Sequence, residues 1–190
     1  MKYPTIIGSL IFALTVPAAA ADFTGPRVEV RTGWDHVSAG NNQGSDDGIA
    51  YGLGAGYDFA ITENIIAGPE VGLDLHSTKE CSPLFGNDEL CAKFGRDLSI
   101  GGRIGTPVAD NILVFASAAY TNARVKATYE DFDGILPNEK QGANADGVRF
   151  GGGAEVAFDY NMYAKAEYRY SNYEAGLSRH QILAGVGIRF

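Results

Sequence analysis

Several stretches of this chain alternate apolar residues with charged or small ones at a period of two. This is the pattern of a β-strand whose two faces meet different surroundings. The clearest stretch is the terminal segment HQILAGVGIRF, where Ile182, Ala184, Val186, Ile188 and Phe190 share one face. Soluble domains usually end in polar residues that fray. A strand that keeps one fully apolar face up to a terminal aromatic residue indicates that this face contacts lipid.

Eight such stretches follow one another, and the connections between them are alternately short and long. No apolar stretch beyond the N-terminal segment reaches the roughly 20 residues that a spanning helix needs. Strands satisfy their backbone groups inside hydrocarbon only by closing into a barrel. The sequence therefore predicts an all-β fold, an eight-stranded antiparallel up-and-down transmembrane β-barrel. The predicted strands cover residues 27–36, 49–59, 65–76, 97–106, 112–126, 148–159, 162–171 and 180–190.

The position of the charges predicts which face of each strand is the inner one. A soluble barrel of the lipocalin type would carry its apolar face inside, but here the charged residues share one face and leave the other apolar. A Lys or Arg on the lipid face costs about 2–4 kcal/mol near the bilayer midplane, so the charged face must line the lumen. Eight strands enclose a lumen just wide enough to be filled by side chains, which predicts that the inward charges pair with one another. The predicted lumen charge network contains seven basic and six acidic residues: Arg27, Glu29, Arg31, Glu70, Asp74, Asp97, Arg103, Arg149, Glu155, Lys165, Glu167, Arg169 and Arg189.

The fifth predicted strand, residues 112–126, is apolar on both faces for much of its length. We favour the orientation in which Val114, Ala116, Ala118 and Tyr120 face outward. Glycine is frequent, at 25 of 190 residues. Glycines on the inner face leave room for large charged neighbours.

The N-terminal segment has the layout of a secretory signal peptide. Lys2 supplies a positive start, residues 5–16 form an apolar run, and Pro17 precedes the small residues Ala18 to Ala21. We predict that residues 1–21 are removed and that residues 22–190 form one barrel domain. Because Lys2 is the only charged residue in the removed segment, the formal net charge changes from −8 to −9. This acidic balance disfavours a nucleic-acid partner, since nucleic-acid-binding proteins carry basic stripes.

Two cysteines, Cys81 and Cys91, flank the segment SPLFGNDEL. In an exported chain, a pair so close in sequence predicts a disulfide that closes a surface loop. A metal site would need more ligands, and only His76 is nearby. We therefore expect no metal and no cofactor.

Two segments carry a family resemblance: AKAEYRYS, residues 164–171, and the terminal HQILAGVGIRF. They resemble the small outer-membrane β-barrel proteins of Gram-negative bacteria, the opacity-type porin and OmpA-like group. The resemblance implies a location in the cell outer membrane, contact with its lipid and lipopolysaccharide, and insertion by the barrel-assembly machinery after transit with periplasmic chaperones. It also implies that the terminal strand, with Val186, Ile188 and Phe190, is the barrel-assembly signal. We expect no counterpart of the peptidoglycan-binding domain that follows the barrel in full-length OmpA-like proteins.

Enzymatic activity is not expected, and no catalytic residue is assigned. Lipid A deacylases, which this chain resembles, use a His-x-Ser-Asn stretch as base and nucleophile, but this chain has Arg169-Tyr170-Ser171-Asn172. A guanidinium cannot deprotonate a serine at neutral pH. His76-Ser77 is the least implausible alternative pair. The acidic residues Asp131, Asp133 and Glu139 lack the ligand spacing of a calcium loop.

The sequence thus predicts a structural and interaction protein, a lipid-embedded barrel that supports membrane integrity and presents its long loops for adhesion or contact with an extracellular ligand. A narrow porin for small solutes is the alternative, and a lipid A-modifying enzyme is a more distant one.

Overall fold

The computed structural model describes residues 22–39, 45–77, 79–83, 89–130, 140–158 and 161–190. The predicted signal peptide, residues 1–21, lies outside the described residues, as does the acidic segment 131–139. The described chain contains nine strand segments and one 3-10 turn: β1 Gly25–Ala39, β2 Ser45–Thr62, β3 Ile65–His76, β4 Lys79–Pro83, β5 Glu89–Ala109, β6 Ile112–Glu130, β7 Lys140–Phe158, β8 Met162–Tyr173, η1 Glu174–Gly176 and β9 Leu177–Arg189.

These segments close into one antiparallel barrel. The strand order is β3-β2-β1-β9-β8-β7-β6-β5-β4, and an additional β3–β5 pairing joins the two ends of the sheet. Both β3 and β4 pair with β5, so together they form the third strand of the barrel, interrupted near Ser77. The predicted eight-stranded antiparallel barrel is confirmed.

Most strands extend further than the sequence pattern predicted. β1 continues to Ala39 and β5 already begins at Glu89, although we placed residues 37–48 and 77–96 in connections. The predicted loop 172–179 consists mainly of strand residues around the short turn Glu174–Gly176. The strand pairing continues beyond the apolar belt, where the sequence shows no apolar alternation that would mark a strand.

Apolar side chains cover the outer face of the barrel. Val30, Leu53, Ile100 and Ile182 are all more than half exposed at the protein surface. β6 has the orientation that we favoured, because Tyr120 is 51% exposed whereas Leu113 is fully buried. Among the described residues, no helix is long and apolar enough to cross a membrane.

The two ends of the barrel differ. The turn at residues 63–64, the turn at residues 110–111 and the segment before β1 lie at one end, which we call the short-turn end. The connections that leave β1, β4, β6 and β8 lie at the opposite, long-loop end.

An apolar cluster closes the lumen at the short-turn end. No pattern in the sequence predicted this closure. Phe23 packs there with Ile66, Leu113 and Ala157. The Arg189 guanidinium lies 5.5 Å from the centroid of the Phe23 ring. Phe23 precedes the first alternating strand, so the period-two pattern gave no sign of its inward position.

The segment that carries Phe23 is held by a local hydrogen-bonded turn outside the spanning strands. The hydroxyl and the backbone N–H of Thr24 donate to Asp22 Oδ1 at 2.7 and 2.9 Å. These two hydrogen bonds lower the pKa of the Asp22 carboxyl. The turn fixes the position from which Phe23 enters the barrel.

Candidate functional site

The barrel lumen is the candidate site, because β1, β2, β3, β5, β7, β8 and β9 all direct charged residues into it. Among the described residues, eight carboxylates and eight cationic side chains form ion pairs there, so the lumen is electrically balanced when His76 is neutral. All thirteen residues of the predicted lumen charge network lie in this set. The remaining three are Asp35, Asp58 and Arg179.

Asp58 is the centre of the network near the short-turn end. Its carboxylate accepts hydrogen bonds from Arg27 Nε at 3.1 Å and from Arg103 Nη2 at 2.6 Å. Arg189 reaches the same carboxylate at 3.4 Å and also donates to Glu155 at 2.6 Å. Three guanidinium groups therefore share one fully buried aspartate.

Asp74 has the same role in the middle of the lumen. Arg31 donates to both of its carboxylate oxygens, at 2.8 and 3.1 Å, in a bidentate pair. Arg149 and Arg169 donate to Oδ2 at 3.2 and 3.3 Å. Planar guanidinium groups suit such shared arrangements because their donors form a rigid fork.

Lys165 links two glutamates beside this centre. Its Nζ lies 2.5 Å from Glu29 Oε1 and 3.1 Å from Glu167 Oε2. The hydroxyl of the fully buried Tyr163 donates to Glu29 at 3.1 Å. The lysine thus joins charges on β1 and β8, which lie on either side of β9.

Asp97 is the acceptor nearest the long-loop end. Arg149 and the Tyr173 hydroxyl donate to Oδ2 at 2.5 and 2.6 Å, and the Thr121 hydroxyl donates to Oδ1. Arg179 Nη1 lies 3.3 Å from the same carboxylate.

Asp35 and His76 extend the network beside Asp97. Arg179 Nε lies 3.3 Å from Asp35 Oδ1, and His76 Nδ1 lies 3.2 Å from Asp35 Oδ2. Arg179 Nη1 donates to His76 Nε2 at 3.0 Å. The cluster closes the lumen toward the long-loop end with charge-paired side chains.

Little space remains between these groups. The cavity among Arg27, Arg31, Glu70, Arg149 and Arg169 has a volume of about 10 Å³. That is about the space that a single water molecule needs. Around these residues, the lumen is packed with polar side chains.

Glycines on β2 allow this packing. A Cβ at Gly54 would lie 2.5 Å from Arg31 Nη1, and one at Gly56 would lie 2.8 Å from Arg27 Nη2. The two arginines start on β1 and cross β2 to reach Asp74 and Glu70 on β3. Any larger side chain at these glycines would obstruct the crossing.

The sequence contained signals for two of the three residues that the predicted network omitted. Asp35 and Asp58 alternate in phase with the inward residues of their strands, so the same period-two rule applied to them. Arg179 had no such signal, because we placed it in a loop, whereas it lies on β9.

The residues considered for catalysis are not arranged as a catalytic site. Ser171 is fully buried and accepts a hydrogen bond from Arg149 Nε at 2.9 Å, so no base faces it. His76 is bound to Asp35 and Arg179 inside the lumen, whereas the Ser77 hydroxyl bonds to the backbone of Ile49 outside it. Across the residues that the structure describes, no group of three or more His, Cys, Asp or Glu side chains is placed to hold a metal ion.

A comparison with family models identifies this architecture. The model of the outer membrane protein beta-barrel domain matches residues 7–190. The chain belongs to this family. It is an outer-membrane protein, and the lipid-facing belt and polar lumen are those of a barrel embedded in the outer membrane. In such barrels the short turns face the periplasm and the long loops face the exterior.

Solved structures of other outer-membrane barrels share the fold. Neisserial surface protein A is 14% identical, with a TM-score of 0.61 over 88% of this chain and 98% of that one. The attachment invasion locus protein Ail of Yersinia pestis is 11% identical, with a TM-score of 0.59 over 88% of this chain and 99% of that one. Ail has also been solved in complex with the heparin analogue sucrose octasulfate, with a TM-score of 0.55 and 11% identity over 87% of this chain and 99% of that one. No curated protein matches the sequence.

The residues of the predicted barrel-assembly signal lie on the outer face of β9 and at its end. Val186 and Ile188 are nearly half exposed and Phe190 is 71% exposed. The Phe190 backbone N–H donates to the Pro26 carbonyl at 2.9 Å, which holds the terminus against β1.

Proposed function

We propose that this outer-membrane protein, of the opacity-type and OmpA-like kind, has a structural and surface-interaction role and no transport or catalytic activity. One observation carries the proposal: the lumen is filled by a balanced, mutually hydrogen-bonded charge network, with an apolar cluster beneath it. A solute would have to separate buried ion pairs to pass. Removing the partner of one buried charge typically costs about 3–5 kcal/mol, so a spontaneous path is unfavourable.

Single-channel recording in planar bilayers tests this proposal against the narrow-porin alternative. We expect no discrete conductance from the wild-type protein, from Glu167→Ala or from Arg169→Ala, because each substitution leaves the rest of the lumen packed. A faster-migrating band on unboiled gels would show that the reconstituted protein is folded. Wild-type openings whose size changes in either variant would establish the porin and overturn the sealed lumen.

Lipopolysaccharide is the proposed partner of the outer surface, on the strength of a row of lysines. Lys79 on β4, Lys93 on β5 and Lys126 on β6 lie directly opposite one another in the strand register. Directly opposed like charges destabilise a sheet. The register thus places three lysines at one level of the sheet, a concentration of positive charge that suits a phosphate-bearing partner. Arg96 and Arg124, both exposed, add positive charge on the neighbouring positions of β5 and β6.

Replacement of the three lysines by glutamine tests this contact. We expect the triple variant to bind vesicles of phosphorylated lipopolysaccharide at least several-fold more weakly, with little change for dephosphorylated lipopolysaccharide. Lys165→Gln does not serve as a control, because Lys165 belongs to the lumen. Lys140→Gln is better matched, since Lys140 lies outside the row on β7. Equal binding by the triple variant and by wild type would remove lipopolysaccharide phosphate as the partner of this row.

A further inference from the structure

A row of side chains crosses four strands on the outer face, near the long-loop end of the barrel. The register pairs Asp47 with His36, His36 with His180, and His180 with Tyr170. Residues directly opposite on one face of a sheet have Cβ atoms about 4.5–5.5 Å apart. The next outward residues toward the membrane are Trp34, Ile182 and Tyr168, and those toward the loops are Ser38, Ser178 and Asn172. The row therefore lies where the apolar belt gives way to polar surface.

The hydrogen bonds of His36 determine its tautomer. His36 Nδ1 lies 2.8 Å from Asp47 Oδ1, and an ionised carboxylate only accepts, so Nδ1 is the donor. The Ser38 hydroxyl donates to His36 Nε2 at 3.2 Å. In the neutral ring, Nε2 therefore carries a lone pair, which accepts the Ser38 hydroxyl.

His180 is also held through its Nδ1, but by a hydroxyl group instead of a carboxylate. Its Nδ1 and the Tyr168 hydroxyl share a hydrogen bond of 2.7 Å. Nε2 of His180 is not engaged by any residue that the structure describes. The rings of His36 and His180 have their centroids 6.4 Å apart. Two imidazoles bound to one ion at about 2.0–2.1 Å per nitrogen have centroids roughly 5 to 6.5 Å apart, depending on the angle at the metal.

This arrangement is compatible with a metal-binding histidine pair, in which Nδ1 of each ring is hydrogen-bonded and Nε2 is the metal ligand. Histidines that bind metals usually donate the second ring N–H to a carboxylate or another acceptor, as His36 does to Asp47. Imidazole nitrogens favour the copper and zinc end of the divalent series. We propose that His36 and His180 together bind one divalent transition-metal ion through Nε2, with Cu²⁺ preferred. Water molecules or an anionic group would complete the coordination, and the Ser38 hydroxyl would turn away to admit the ion.

The chain carries its own reporter for this site. Trp34 is the only tryptophan in the sequence, and it stacks on His36 with ring centroids 5.4 Å apart. Bound Cu²⁺ at this distance would quench its fluorescence. The third histidine, His76, is buried inside the lumen and does not face the same water.

Titration of CuCl₂ into untagged, detergent-folded protein in a non-coordinating buffer tests the proposal. We expect saturable quenching of Trp34 with one ion per chain. His180→Ala leaves the Trp34–His36 stack in place and should weaken the apparent affinity at least tenfold. Asp47→Asn should weaken it several-fold, whereas Asp46→Asn, the same change on the other face of β2, should leave it unaltered.

Two results of this titration would contradict the proposal. An unchanged quenching midpoint in both His180→Ala and His180→Gln would overturn the site, because the ion would then be held elsewhere. Quenching of the wild-type protein that rises linearly with the copper concentration, without saturation, would also overturn the site. Heat-modifiability of each variant on gels shows that a loss of binding is not a loss of folding.

Discussion

At the residue scale, the lumen is organised by carboxylates that each serve several arginines. The period-two pattern predicted which residues face inward, since a charged face cannot lie against lipid. It could not predict the partners, because these depend on the width of the lumen and on which strands are adjacent. Arg31 pairs with Asp74 two strands away, and Gly52 and Gly54 on the intervening strand leave room for that contact. The choice of partner therefore depends on glycines of the intervening strand as well as on the charges themselves.

Asp58 provides the most direct test of this organisation. Asp58→Asn keeps the shape of the side chain but leaves Arg27, Arg103 and Arg189 without their shared anion. We expect the free energy of unfolding to fall by about 3–5 kcal/mol, the usual cost of uncompensated buried charge. Urea unfolding in detergent, followed by the gel shift, measures it. Asp110→Asn is the same change in an exposed turn and should lower the free energy of unfolding by less than about 0.5 kcal/mol. Equal effects of the two substitutions would show that water solvates the lumen.

At the element scale, β9 closes the barrel against β1 and ends in an exposed aromatic. If Phe190 is the assembly signal, replacing its side chain impairs insertion, although this side chain lies outside the packed lumen. We expect Phe190→Ala to reduce the amount of folded protein in the outer membrane several-fold. Phe150→Ala is the matched control, because Phe150 is an outward phenylalanine on β7 with 57% exposure. Similar membrane yields for the two variants would show that Phe190 makes only an ordinary lipid contact and is not the assembly signal.

The hairpin of β4 and β5 carries the predicted disulfide. Cys81 and Cys91 are directly opposite in the register, and opposed Cα atoms in an antiparallel pair are about 4.5–5.5 Å apart, within the range that a disulfide spans. The side chains themselves lie outside the described set, so the bridge stays a prediction. We expect alkylation of the purified oxidised protein to modify neither cysteine until a reductant is added. Two alkylated thiols before reduction would disprove the bridge.

At the scale of the whole molecule, the sequence predicted the barrel because lipid and lumen impose opposite chemistry on alternate residues. The sequence predicted the structure less well at positions where alternate residues do not differ in polarity. β5, β6 and β7 continue beyond the apolar belt without apolar alternation in the sequence, so the strands were expected to end too early. At the short-turn end the lumen is closed by Phe23 and its apolar neighbours, a contact between distant segments that no local pattern encodes.

The proposed sealing of the lumen also predicts how the whole barrel responds to salt. Exposed ion pairs are screened as ionic strength rises, since the Debye length falls from about 10 Å at 0.1 M to about 3 Å at 1 M, whereas buried pairs are screened much less. The lumen charges are buried, with side chains such as Asp58 and Glu155 inaccessible to water. We therefore expect the temperature at which the compact gel band converts to the unfolded one to change by only a few degrees between 0.05 and 1 M NaCl. A large decrease over that range would mean that ions enter the lumen, and the barrel would then have to be regarded as an aqueous channel.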